Sequence, residues 1–107
     1  MPASKHRLIR WPSNQGLPRM EELEATLTGE GHPPYRMVDP PCTYYHDRVL
    51  ELAETRWVIR GRVMIGLGDE QIELQAGDRI DLSKGQRVWI RVVSDDGASY
   101  LLAPHRR

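Results

Sequence analysis

From Thr43 onward, apolar and polar residues alternate in short runs separated by glycine and aspartate, a pattern that predicts β-strands joined by tight turns. Candidate strands cover 43–50, 55–59, 62–67, 71–74, 79–82, 86–93 and 99–103. Successive side chains of a strand point to opposite faces, so in Arg87-Val88-Trp89-Ile90-Arg91-Val92 the set Val88, Ile90 and Val92 faces a core and Arg87, Trp89 and Arg91 face away. The same parity groups Val63, Ile65 and Leu67, Ile72 with Leu74, and Ile80 with Leu82. Gly68-Asp69 and Asp96-Gly97 supply hairpin turns that need positive φ. These strands at close spacing describe an all-β barrel or sandwich.

The first forty residues have another texture. Arg10-Trp11-Pro12-Ser13-Asn14-Gln15-Gly16 reads as a loop or an edge strand. One helix is expected at about 18–28, with Pro18 at its first position, Glu21, Glu22 and Glu24 near the positive end of its dipole, and Gly29 as its stop. Met20, Leu23 and Leu27 form one short apolar stripe, which suits a helix packed on the outside of a barrel. The prolines of segment 32–41 hold it extended, as a connection or an edge strand. The expected division is an N-terminal extension over 1–34 and a barrel over 35–107.

Charge narrows the partners. Fifteen basic and fifteen acidic side chains balance, so no long-range field draws the chain to nucleic acid or to an anionic membrane, and neither partner is expected. The basic ends Lys5-His6-Arg7 and His105-Arg106-Arg107 read as solvated termini. The one cysteine, Cys42, cannot form an intrachain disulfide, which fits a reducing compartment, and it is expected to be a buried, inert thiol. No apolar run is long enough to span a membrane, and a cytoplasmic location is expected.

Two glycine-centred spacings carry the strongest signal. Gly77, five residues, Ser83, one residue, Gly85, two residues and Val88 resembles the second motif of the cupins, which has Pro and His where this chain has Ser83 and Val88. Glu54, six residues and Gly61 is similar to the end of the first cupin motif, whose preceding His-x-His pair falls on Arg48 and Leu50. The resemblance covers about 35–103 and is greatest to short stand-alone bacterial cupins, whose helix precedes a segment like Pro34-Tyr35-Arg36. It implies an all-β, double-stranded β-helix or jelly-roll barrel with a short N-terminal helix. Family members usually hold one divalent transition metal on three His and one Glu, and range over dioxygenases, isomerases, decarboxylases, storage proteins and sugar-binding domains. Of that ligand set only Glu54 remains, because Arg48 is always protonated and Leu50 and Val88 have no donor atom. A lone carboxylate does not make a transition-metal site, so neither a metal nor another cofactor is expected.

Parity places His46, Arg48 and Leu50 on the face where cupins carry their ligands, and Glu54, Arg56 and Val58 on one face of the next strand. Arg48, Glu54 and Arg56 could form a paired cluster that leaves one guanidinium for an anion, or the arginines could reach the mouth and be solvated. The residues support three functional readings. The leading one is a metal-free module whose cavity, lined by Arg48, Glu54, Arg56, Tyr45, His46 and Val88, takes a small carboxylate- or phosphate-bearing metabolite. The second is a metal-independent isomerase or lyase using His46 as base with Glu54 in the same pocket, and parity selects Tyr44 over Tyr45 as its acid. The third is a homodimer through Trp11, Trp57 and Trp89, unless the N-terminal segment and helix cover these rings.

Overall fold

In a computed structural model, which describes residues 6–106, the alternating runs become nine strands and one helix among the described residues. In chain order these are β1 (His6–Ile9), α1 (Met20–Gly29), β2 (Tyr35–Asp39), β3 (Tyr44–Val49), β4 (Glu54–Arg60), β5 (Val63–Leu67), β6 (Glu70–Leu74), β7 (Arg79–Leu82), β8 (Arg87–Val92) and β9 (Ala98–Pro104). They form two antiparallel sheets, a five-stranded one in the order β1-β7-β4-β9-β2 and a four-stranded one in the order β3-β8-β5-β6. From β4 onward the chain leaves and re-enters the five-stranded sheet repeatedly, the wiring of an all-β jelly roll.

The core lies between the sheets. Val63, Ile65, Val88, Ile90 and Val92 of the four-stranded sheet meet Val58, Ile80, Leu82 and Tyr100 of the other, all of them buried. The inward residues are those the period-2 pattern assigns, because a slip of one residue would turn the whole apolar set to water. The outer face of the five-stranded sheet carries an apolar patch, and α1 covers it: Leu23 and Leu27 pack on Trp57, Leu101 and Ala103. Trp11 joins this cluster from the N-terminal segment. Two of the three tryptophans considered for a dimer interface are therefore covered from within the chain.

Local chemistry sets the element ends. The helix begins at Met20 with Arg19 as its cap, so Pro18 lies before it. It stops where Gly31 takes a φ of 92° and His32 N–H donates to the Leu27 carbonyl at 2.9 Å, so the left-handed residue is Gly31 rather than the expected Gly29. The segment assigned to an extension also supplies β1, which pairs with β7 at a sheet edge. Asp78 anchors the loop after β1 by accepting from Trp11 N–H at 2.9 Å and from Arg10 Nη1 at 2.8 Å. β2, proline-flanked, is the opposite edge. Cys42 departs from expectation: it is exposed, in the tight turn after Pro40-Pro41, at a φ of 66° that is uncommon for a side-chain-bearing residue. No helix among the described residues is long and apolar enough to cross a membrane.

Candidate ligand site at the barrel mouth

Strand β3 does not keep the strict alternation of its sequence. Tyr44 and Tyr45 pair with Arg91 and Ile90, and Arg48 pairs with Val88, so three steps along β3 oppose two along β8 and the register shifts between Tyr45 and Arg48. Such a bulge switches the face presented on either side of it. Tyr45, opposite inward-facing Ile90, turns to the core, while Tyr44 stays outside and stacks edge-on with His46 at 4.7 Å between ring centroids. The expected pocket grouping of Tyr44 and His46 with Arg48 is thereby corrected. His46 is exposed on the outer surface, and the His46, Tyr44 and Glu54 constellation of the isomerase or lyase reading is not assembled.

Glu54 and Arg56 do share the interior face of β4. They form a buried ion pair, with Arg56 Nε donating to Glu54 Oε2 at 2.6 Å and the residues 7% (Glu54) and 4% (Arg56) exposed. Beyond them runs a hydrogen-bonded chain that sequence reasoning missed. Arg56 Nη1 donates to the Tyr100 hydroxyl at 3.4 Å, Tyr100 donates to Asp39 Oδ2 at 2.6 Å, and the Tyr45 hydroxyl donates to Asp39 Oδ1 at 2.9 Å. Burial, opposed by the nearby Arg56, holds the Tyr100 phenol well above its usual range; burial and the bond to Asp39 raise Tyr45 as well. Both therefore keep their protons and act as donors to Asp39. The one sequence cue was parity, which puts Tyr100 on the inward face of β9 with Ala98.

Arg48 is not part of this buried set. It is exposed, and no ion pair joins it to Glu54 among the described residues, so the expected three-charge cluster reduces to the Glu54–Arg56 pair with Arg48 at the rim. Leu50 and Val88 are closed into the core at 2% and 1% exposure. Above them a cleft of about 400 Å³ opens between Arg48, Leu52, Glu54, Pro104 and Arg106. Arg106, read from sequence as part of a solvated end, faces this cleft and donates from Nη2 to the Tyr35 hydroxyl at 3.2 Å. Lys5 and Arg107, from the same basic ends, lie outside the described residues.

No family model matches the chain and no curated protein matches its sequence, whereas solved structures do resemble it. A cupin 2 domain-containing protein from Halorhodospira halophila superposes with a TM-score of 0.69 at 15% identity, over 96% of this chain and 80% of that one. The fold is that of a cupin. KdgF from Halomonas sp. matches with a TM-score of 0.57 at 18% identity over 71% of this chain and 75% of its own. Drosophila melanogaster CENP-C, crystallised bound to CAL1, matches at 0.56 and 17% identity over 65% of this chain. That match spans 62% of the CENP-C chain, and at such identities the likeness is one of fold.

The cupin metal does not fit these residues. Imidazole is absent from all three histidine positions of the motifs, and the remaining carboxylate, Glu54, is already engaged by Arg56 at 2.6 Å. A cation there would face a fixed guanidinium rather than a set of lone pairs. No group of three or more metal-ligating side chains occurs among the described residues.

A second polar chain lies at the edge of the cupin barrel. Thr55 Oγ1 donates its single proton to Asp81 Oδ1 at 2.7 Å, so it accepts from His105 Nε2 at 2.9 Å. His105 stacks on His32 with ring centroids 3.7 Å apart, and Arg79 lies between Glu30 and Asp81. Burial, then the neighbouring His32, lowers the His105 pKa, with Arg79 adding to the effect and Asp81 and Glu30 opposing it. The folded state thus binds a proton less readily than the unfolded chain, whose histidine titrates near 6.5. Stability from this group is full above 6.5 and is lost as pH falls from there through the lower folded value. Urea midpoints measured at successive pH values below neutrality should show that fall, and His105→Gln, which can still donate to Thr55, should flatten it. An identical pH profile in the variant would contradict the assignment.

Proposed function

We propose that this cupin-fold domain binds a small anionic metabolite at the barrel mouth, between Arg48 and Arg106, without a metal. One observation carries the reading: two guanidinium groups face a single cleft and neither is in ion-pair distance of a carboxylate among the described residues, although Glu51 also lines the cleft, while the carboxylate beneath them, Glu54, is neutralised by Arg56. A carboxylate or phosphate suits that arrangement, because paired guanidinium groups can each donate to its oxygens in charge-assisted bonds. Leu52 and Pro104 supply apolar walls for the rest of the molecule. The reducing, cytoplasmic setting belongs to the same reading, since Cys42 is an exposed free thiol. The homodimer loses Trp11 and Trp57 as anchors and rests on Trp89 alone.

Titration calorimetry against dicarboxylates and sugar phosphates tests the site. Saturable binding is expected, and Arg48→Gln should weaken it by about tenfold, the usual scale for a lost charge-assisted bond. Affinity unchanged from the wild type in both Arg48→Gln and Arg106→Gln would count against the cleft. A one-to-one content of manganese, iron, nickel, copper or zinc after purification without chelator would overturn the metal-free part.

A further inference from the structure

The outer face of the four-stranded sheet is built around one tryptophan. The register sets Trp89 opposite Gly66 and Gly66 opposite Gln71, so the three form one row across β8, β5 and β6. The Trp89 indole lies over Gly66, where a Cβ would collide with its Cε2 and Nε1. One ring face is thus turned to the sheet, and Trp89 remains only half-buried. Tyr44, exposed after the bulge in β3 reverses its facing, stands beside it at 67° with centroids 6.1 Å apart, and the guanidinium carbon of Arg91 is 5.9 Å from the indole centroid. Together Tyr44, Gln71, Trp89 and Arg91 line a cleft of about 300 Å³. Two nearby arginines are paired, Arg62 just before β5 with Glu73 at 3.5 Å and Arg87 of β8 with Asp47 at 3.2 Å, but no carboxylate pairs with Arg91 among the described residues.

We propose that this cleft is a second binding site, for a small aromatic acid, with the ligand ring on Trp89 and its carboxylate on Arg91. Trp89 and Tyr44 present a face and an edge at a steep angle, the two contacts a planar π-system prefers. Arg91 provides the cation for the acid group and Gln71 one amide for a ring substituent. A sugar acid is the competing ligand, because the C–H face of a pyranose also stacks on an indole, but it offers no π-system to the edge contact between Trp89 and Tyr44. This site is separate from the barrel mouth and does not depend on the metabolite proposed there.

Titrating the labelled protein with 4-hydroxybenzoate and following the indole N–H resonance of Trp89 by NMR tests it, with cyclohexanecarboxylate and galacturonate as controls. A saturable shift is expected with 4-hydroxybenzoate, weaker with cyclohexanecarboxylate and weaker still with galacturonate. Arg91→Gln, an exposed change that leaves the core intact, should raise Kd by about tenfold. Trp89→Ala should abolish the response of the Gln71 backbone amide. Absence of a saturable shift, equal affinity for any of the three acids, unchanged affinity in Arg91→Gln, or a solution dimer that shields Trp89 would each overturn the proposal.

Discussion

Glu54→Ala should destabilise the fold by about 3–5 kcal/mol, the usual range for breaking a buried ion pair from one side. The pair is short, at 2.6 Å, and its alternatives are poor. With Glu54 gone, the Arg56 guanidinium keeps, among the described residues, a 3.4 Å contact to the Tyr100 hydroxyl and the Tyr100 ring at 5.5 Å, inside a barrel where desolvating an isolated cation is expensive. Glu54→Gln should fall between, because it retains an acceptor oxygen without the charge. Glu54→Leu combined with Arg56→Met should recover much of the loss, since replacing both charges by apolar groups removes the desolvation penalty. Urea unfolding with an unchanged m-value measures all three. A loss below about 1 kcal/mol in Glu54→Ala would show that water reaches the pair and that the site is a solvated one.

Gly61→Ala should be nearly as damaging, at about 2–5 kcal/mol, although it adds a single methyl group to a turn. Gly61 joins β4 to β5 at a φ of 87°, a conformation that side-chain-bearing residues rarely adopt. A Cβ there would also press on the Gly97 carbonyl, on Ser94 Oγ at 2.8 Å and on Ala98 Cα at 2.9 Å. Ser94 is not free to move: its hydroxyl donates to the Gly97 carbonyl at 2.5 Å and accepts from Arg62 N–H at 3.0 Å. The glycine thus clamps the β4–β5 turn against the β8–β9 turn, which gives a physical reason for its place seven positions after Glu54. Calorimetric melting checks the prediction, and an unchanged Tm would mean that the two turns part without cost. Gly85→Ala is the comparison, with φ 85° but open space around it, and should show the backbone strain alone.

How far each residue could be placed from the chain depended on whether its surroundings were local. Val88, Ile90 and Val92 could be assigned to the core because their strand is regular and alternation is a property of the backbone itself. Glu54 and Arg56 were grouped for the same reason, two residues apart on one regular strand. Tyr44, Tyr45 and His46 escaped the same count because the bulge in β3 is a relation between two strands, and nothing in Tyr44-Tyr45-His46-Asp47-Arg48 marks the extra residue. Arg106 was missed because its partner Tyr35 is 71 positions away, and Asp39 because one partner, Tyr100, is 61 positions away and the other, Tyr45, is turned toward it by the bulge in β3.

By itself, then, the sequence determined the strands, the inward set of most of them, the one helix and the glycine turns of a cupin barrel, together with Arg, Leu and Val rather than histidine at positions 48, 50 and 88. These are consequences of backbone geometry and of the chemistry of individual side chains. Tertiary structure decided the rest: that Arg56 rather than Arg48 neutralises Glu54, that Tyr45 and Tyr100 converge on Asp39, that α1 covers Trp57, and that Arg106 lines the mouth together with Arg48. Most of these are contacts between strands or segments far apart in the chain; the exceptions are the steps from Glu54 to Arg56 and from Asp39 to Tyr45, two and six residues long, where the fold decides how the groups are buried and paired. Their geometry is set only when two sheets close on one core, where burial decides which charges must pair and which may stay in water.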